Sequence, residues 1–226
     1  MLSELSELKK KVFFRFLMVP IFMFLMLFLP AGSLYYWQAW VYCGVIFTPV
    51  IFVVFYFLKK DPELLERRMR MKEKEEKQKL IQKFGIIIFF IGFIIPGLDY
   101  RYHWSNVPVL IVIAANAIVF SGYLLVFFVL RENSYASRII EVEKGQKAIT
   151  TGPYAIVRHP MYLGVLLMYL FTPLALGSYW AIIFFLPLVP LIVFRLLNEE
   201  EVMLRELLGY EEYCKKTRYH LIPFIW

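Results

Sequence analysis

Disulfide and metal chemistry have little to work with in this chain. Of its 226 residues, two are cysteines (Cys43, Cys214) and three are histidines (His103, His159, His220). Two isolated cysteines exclude a disulfide scaffold. No Cys/His group has metal-ligand spacing, so no metal is expected. Charge is also scarce, at 19% against about 25% in soluble domains. No Gly-x-Gly-x-x-Gly occurs, so the soluble-type dinucleotide fingerprint is missing. No Ser-His-Asp or Cys-His arrangement is visible.

What the chain has instead is apolar surface. Hydrophobic residues make up 60% and aromatics 19%, with Phe 22 and Tyr 15. That excludes a disordered chain and argues against a soluble globule, which would show water too much apolar area. The net charge of +7 admits either nucleic acid or a membrane surface. The placement of the charges decides between them.

The apolar residues fall in blocks: 12–29 with one charge (Arg15), then 37–58, 84–98, 107–130 and 162–194 with none. A spanning helix needs about 20 such residues. Three blocks meet this, 84–98 is short, and 162–194 breaks at Gly177-Ser178 and reads as a helical hairpin. The expected fold is an all-α integral membrane protein. It has five to six transmembrane helices including a C-terminal helical hairpin, with cytoplasmic loops and a C-terminal amphipathic helix. Residues 1–130 would form a four-helix N-terminal region with a charged linker at 59–83. Residues 131–226 would carry the chemistry.

With six crossings and a cytoplasmic N-terminus, 24 of the 25 Lys and Arg residues fall on the inner side, Arg15 included by snorkelling, and only Arg101 lies outside. This is a strong positive-inside signal. Both termini and the active site are therefore expected at the cytoplasmic face. Four of five Trp (Trp37, Trp40, Trp104, Trp180) mark the predicted outer ends, as an interfacial belt requires. The charge thus records orientation, and no nucleic-acid partner is expected. Linker 59–83, with 10 basic and 6 acidic residues, reads as a solvated helical connector; the other reading is a patch for anionic lipid heads.

Two inner-face stretches stand out. In 150–164, Gly152-Pro153 marks a turn. Pro160 then favours an extended His159 and opens the next helix. This sets Arg158, His159 and Tyr162 at the mouth of the hairpin. The far arm ends in Arg195 and the cluster Glu199, Glu200, Glu201. Carboxylates are unfavourable at a helix C-terminus unless the helix continues, and Leu204, Leu207 and Leu208 suggest continuation to about Gly209. The hairpin returns to the side it left, so His159 and Glu200 should be neighbours. Aromatic walls (Tyr154, Tyr162) facing carboxylates suit a cationic ligand. His220 lies in the tail, with no more than a neighbour's role.

Taken together, these stretches resemble the isoprenylcysteine carboxyl methyltransferase family, itself related to phospholipid N-methyltransferases. The resemblance rests on Gly152, Tyr154, Arg158, His159, Pro160, Tyr162 and Gly164. It continues in Glu200, Glu201 and Leu204, then Gly209, Tyr210, Tyr213 and Pro223. It covers about 147–226. It implies S-adenosylmethionine as methyl donor, with S-adenosylhomocysteine as product. It implies a cofactor site of Gln146, Lys147, Ala148, Ile149, Tyr154, His159, Pro160, Met161, Tyr162 and Glu200, where the family often has His in place of Gln146. It places Arg195 against an acceptor carboxylate, with Arg158 beside it, and so names Arg195, Glu200 and His159 as catalytic.

The implied reaction is O-methylation of the carboxylate of a prenylated or other lipid-borne acceptor held among membrane lipids. A carboxylate is already ionised, so alignment dominates. Three readings compete with it. A phospholipid or amine N-methyltransferase would need a base, which Glu199 or Glu201 could supply. A nicotinamide-dependent reductase is a second alternative, since sterol reductases resemble the family's C-terminal half. A non-catalytic transporter or scaffold is the third; spans free of charge disfavour transport.

Overall fold

The computed structural model describes residues 2–70, 76–143 and 145–226. Lys72, Lys74 and Lys144, which the charge count placed on the inner side, lie outside the described residues, as do the side chains of Lys9, Lys11 and Lys77. The described chain is all-helical, without strands.

The helices are α1 (Leu2–Ala31), α2 (Trp37–Lys60), α3 (Pro62–Met69), α4 (Glu76–Tyr102) and α5 (Val109–Glu132). After a long loop come a 3-10 turn (Gly152–Ala155), α6 (Pro160–Ala175), α7 (Trp180–Phe185), α8 (Leu188–Glu206) and α9 (Tyr210–Lys216). Five stretches are long and apolar enough to cross a membrane: Val12–Ala31, Trp37–Lys60, Gln78–Tyr102, Val109–Glu132 and Trp180–Glu206. At most 28% of any of these is buried. Most of each apolar surface therefore faces outward, which is sustainable in lipid and not in water.

The bundle has two chemically distinct ends. One carries Lys59, Lys60, α3 and the 133–159 loop; the other carries Tyr35, Trp37, Trp40, Tyr102 and Trp104. Local sequence sets the basic end. Lys59 and Lys60 close α2, and Asp61 caps α3 by accepting from the Leu64 amide at 3.0 Å, with Pro62 in the first turn. Arg15 reaches this end, its guanidinium donating to the Met69 carbonyl at 3.3 Å.

The hairpin crosses the bundle completely. α6 has 16 residues, about 24 Å of helix. Its far end meets the aromatic end: the Tyr36 hydroxyl donates to the Leu176 carbonyl at 2.6 Å. The Ser178 hydroxyl donates to the buried Asp99 carboxylate, which also accepts the Ser105 amide and hydroxyl at 2.7 Å each. Along the way Tyr42 shares a hydrogen bond with Thr172 at 2.9 Å, and the Asn116 amide donates to the Ala175 carbonyl at 3.2 Å. Such bonds hold helices where lipid supplies no hydrophobic drive. The return arm breaks at Pro187, between α7 and α8.

α5 lies so close against α6 that a Cβ on Gly122 would sit 2.7 Å from the Gly164 carbonyl oxygen. Gly122→Ala is therefore expected to destabilise the fold by about 1–3 kcal/mol through overpacking. This is measured as a lower unfolding midpoint in detergent. Gly44→Ala, whose added Cβ meets nothing within 4 Å, serves as control and should not lower the midpoint.

Candidate functional site

The site forms at the basic end, from the loop after α5, the start of α6, the end of α8 and the tail. Asn133 ends α5, its amide donating to the Val129 carbonyl at 3.0 Å and its side chain to the Tyr154 hydroxyl at 3.0 Å. Gly152, at φ +57°, opens the 3-10 turn in a left-handed conformation that costs glycine little. His159 sits just before α6 at φ −124°, as the following proline favours.

The tail then locks the motif. The Arg158 and His159 amides donate to the Tyr219 and His220 carbonyls at 2.8 and 2.9 Å. From α9, the Tyr213 hydroxyl donates to the Tyr154 carbonyl at 2.8 Å. Backbone amides this far inside need partners, and the tail supplies them.

At the centre of these contacts lies Glu200, 7% exposed. Its Oε1 is 3.0 Å from Arg158 Nη1 and 3.3 Å from His159 Nε2, and its Oε2 is 3.0 Å from His220 Nε2. The His159 contact lacks hydrogen-bond geometry, leaving His159 Nε2 and Glu200 Oε1 without a hydrogen-bond partner. Arg158 Nη2 also reaches His220 Nε2, at 2.6 Å, so a donor and an acceptor compete for one ring nitrogen. His220 stacks on Trp226 with ring centroids 4.6 Å apart. Burial pushes the His220 pKa below its ordinary value of 6.5; Arg158 and His159 push the same way, and Glu200 opposes them. The ring is therefore neutral at pH 7.

Beside this cluster opens a cleft of about 890 Å³, counting its solvent-open mouth. Its polar lining includes Tyr154, Tyr162, Glu141, Glu199, Tyr210 and Tyr213, and Ile140, Val142, Met161, Val202 and Leu207 line it with apolar side chains. The Tyr162 hydroxyl donates to the Glu199 carboxylate and accepts from Arg195 Nε at 3.0 Å. Burial, the largest cause, raises Tyr154 to about 12, and it also raises Tyr210 and Tyr213. All three phenols remain protonated donors. The Tyr210 hydroxyl is buried with no hydrogen-bond partner.

The structure brings most of the sequence-derived residues to one place. Gln146, Lys147, Ala148, Ile149, Tyr154, Arg158, His159, Pro160, Met161, Tyr162 and Arg195 all line the cleft. Glu200 does not. Two carboxylates line the cleft: Glu141, which is paired with Arg70, and Glu199, the neighbour of Glu200. Successive helix residues point about 100° apart, so Glu199 and Glu200 face different ways. Arg195 donates to Tyr162, to Gln78 Oε1 at 2.7 Å and to the Arg138 carbonyl at 2.8 Å. That commits three of its five N–H groups to bracing α8 against α4, α6 and the loop. Arg158 is committed to Glu200 and the tail.

Sequence reasoning missed Asn133, cited Tyr210 and Tyr213 only as residues that carry the resemblance, and gave His220 no more than a neighbour's role. For Asn133, a polar residue closing an apolar run was an available signal. The pairing of the tail with residues 158–159 had none.

The phospholipid methyltransferase family model matches residues 110–211. The matched segment runs from α5 through the loop and hairpin to α9, and it supports a membrane methyltransferase. Among individual relatives, the mouse (Mus musculus) Delta(14)-sterol reductase TM7SF2 is 31% identical over 93 residues. That alignment covers 38% of this chain and 22% of the relative, so the likeness concerns a minor part of the relative's length.

The His220 shift fixes the sign of a pH effect. A base whose folded pKa is depressed leaves the unfolded chain holding more protons, so stability is complete above about 6.5 and falls as pH drops below it. Thermal midpoints in detergent should fall between pH 7.5 and 5.5, and His220→Asn should flatten that slope. An unchanged slope in the variant would contradict the assignment.

Proposed function

We propose that this chain is an S-adenosylmethionine-dependent membrane methyltransferase whose acceptor is borne on a lipid. The observation that carries the proposal is the cleft lining: the Glu199 carboxylate, three tyrosines near it (Tyr154, Tyr162, Tyr210), and the apolar side chains of Ile140, Val142, Met161, Val202 and Leu207. An aromatic cage beside the Glu199 carboxylate suits a sulfonium cation. It suits an anionic dinucleotide less well, which sets the reductase reading second to a methyltransferase. The unpartnered Tyr210 hydroxyl and the His159 edge offer hydrogen bonds to the polar parts of such a cofactor. When bound, the cofactor supplies an activated methyl on sulfur.

The chain's task is then placement. Tyr154 and Tyr162 hold the cationic region, and Gln146–Ile149 complete the lining. In this reading Glu200 acts at one remove, fixing Arg158 and His159, and Arg195 fixes the Tyr162–Glu199 pair. The acceptor's apolar part lies along the apolar lining, entering from the bilayer at the cytoplasmic face. A lipid-borne carboxylate, as in a prenylcysteine, needs no base. A second reading, methylation of a lipid amine, is favoured by Glu199, a lining carboxylate that can take a proton as nitrogen attacks, whereas Glu141 is paired with Arg70.

His159→Ala is expected to reduce methyl transfer by about 100-fold or more while leaving membrane insertion intact. Transfer of labelled methyl to a farnesylcysteine analogue and to phosphatidylethanolamine checks this and separates the two acceptors. Near-normal transfer by the variant would contradict the placement.

A further inference from the structure

Linker helix α3 has two chemically different faces. Arg67 pairs with Glu63 at 3.2 Å and Glu143 at 3.0 Å; Arg70 pairs with Glu141, and with Glu143 at 2.7 Å. Arg68, on the other face, turns towards the cleft. Its Nη1 donates to the Ser137 carbonyl at 3.1 Å and approaches the Met161 sulfur at 3.7 Å. Ser137 and Met161 are both cleft residues.

Arg68 belongs to a chain of guanidiniums joined through carbonyls. Arg15 donates to the carbonyl of Met69, the residue after Arg68. Arg68 donates to the carbonyl of Ser137, the residue before Arg138. The carbonyl of Arg138 accepts from Arg195 at 2.8 Å. Three further arginines therefore gather near Arg195, carried by α1, α3 and the loop. None of them lines the cleft itself, but Arg68 is bonded to Ser137 and Arg138 follows it in sequence, and Ser137 does line the cleft. Among the described residues, no carboxylate lies within ion-pair distance of Arg15, Arg68 or Arg138. Burial, then the charges of Arg138 and Arg195, hold Arg68 below the ordinary arginine pKa. Partial desolvation, then the charges of Arg15 and Arg195, do the same for Arg138 although its side chain is exposed. Like charges gathered this way are unfavourable unless an anion joins them. The array stands at the end of α2, where the apolar span gives way to polar chain.

We propose that Arg15, Arg68 and Arg138 form a binding site for the phosphate of a lipid headgroup, held beside the cleft. Guanidinium forks match phosphate oxygens geometrically. A headgroup anchored there would be the acceptor's own or that of a lipid beside it. In the first case the array deepens the methyltransferase reading and rests on it; in the second it stands alone.

The test is native mass spectrometry of the full chain released from nanodiscs of phosphatidylcholine mixed with phosphatidic acid. The wild type should retain phosphatidic acid in preference to phosphatidylcholine. Arg138→Gln, whose side chain is exposed and suited to replacement, should lower that retention about fivefold. Arg68→Lys, which keeps the charge, should retain most of it. Equal retention by Arg138→Gln and wild type, or no preference in the wild type, would overturn the site. Displacement of the lipid by millimolar inorganic phosphate would overturn the lipid assignment in favour of a soluble phosphate, and displacement by micromolar NADPH would do so in favour of a nucleotide phosphate. S-adenosylhomocysteine retention, scored in the same samples, tests the methyltransferase reading separately: its failure would leave the lipid result standing.

Discussion

The Glu200 carboxylate is the contact on which the basic end depends. It is buried, and its neighbours Arg158, His159 and His220 come from the start of the hairpin and the tail, while Glu200 comes from the hairpin's return arm. A buried carboxylate is costly when left unpaired, and removing a partner typically costs about 3–5 kcal/mol. One charge therefore joins segments that backbone bonds between residues 158–159 and the tail also tie together. The aromatic end has a comparable device in Asp99, which gathers Ser105 and Ser178 and fixes the hairpin's turn. Between these two carboxylates the hairpin is pinned at both ends, and α5 lies against it through the Gly122–Gly164 approach.

This arrangement separates support from chemistry. Glu200 lies behind the cleft and Glu199 on its wall, although they are adjacent in sequence. Glu200 carries the structural charge, while Glu199 with Tyr162 faces the cleft. Arg195 belongs with the support: it ties α8 to α4, α6 and the loop through Gln78, Tyr162 and Arg138. An anion beside the cleft then meets Arg68 and Arg138, from segments that sequence alone reads as connectors.

The fold was legible because hydropathy blocks and charge asymmetry are long-range averages that survive uncertainty at any one residue. The site was legible where turn chemistry fixes geometry, at Gly152-Pro153 and His159-Pro160. It was not legible where one residue of helical phase matters. Glu199 and Glu200 are chemically identical in sequence, and only the angle of α8 against α6 decides which faces the cleft. The tail's pairing with residues 158–159 was hidden for a different reason: it joins segments about 60 residues apart through backbone atoms, which carry no sequence signal. Arg68 was hidden among charges of both signs, because composition does not say which face of α3 meets the loop.

The central claim is that the cleft holds a sulfonium cofactor whose binding depends on the Glu200 cluster behind it. Calorimetric titration of the purified full chain with S-adenosylhomocysteine tests this most directly, in the wild type and in Glu200→Gln. The account predicts saturable binding by the wild type and at least about tenfold weaker binding by Glu200→Gln, although Glu200 does not line the cleft. Equal affinity in the two proteins, or a wild type that binds NADPH and not S-adenosylhomocysteine, would contradict it.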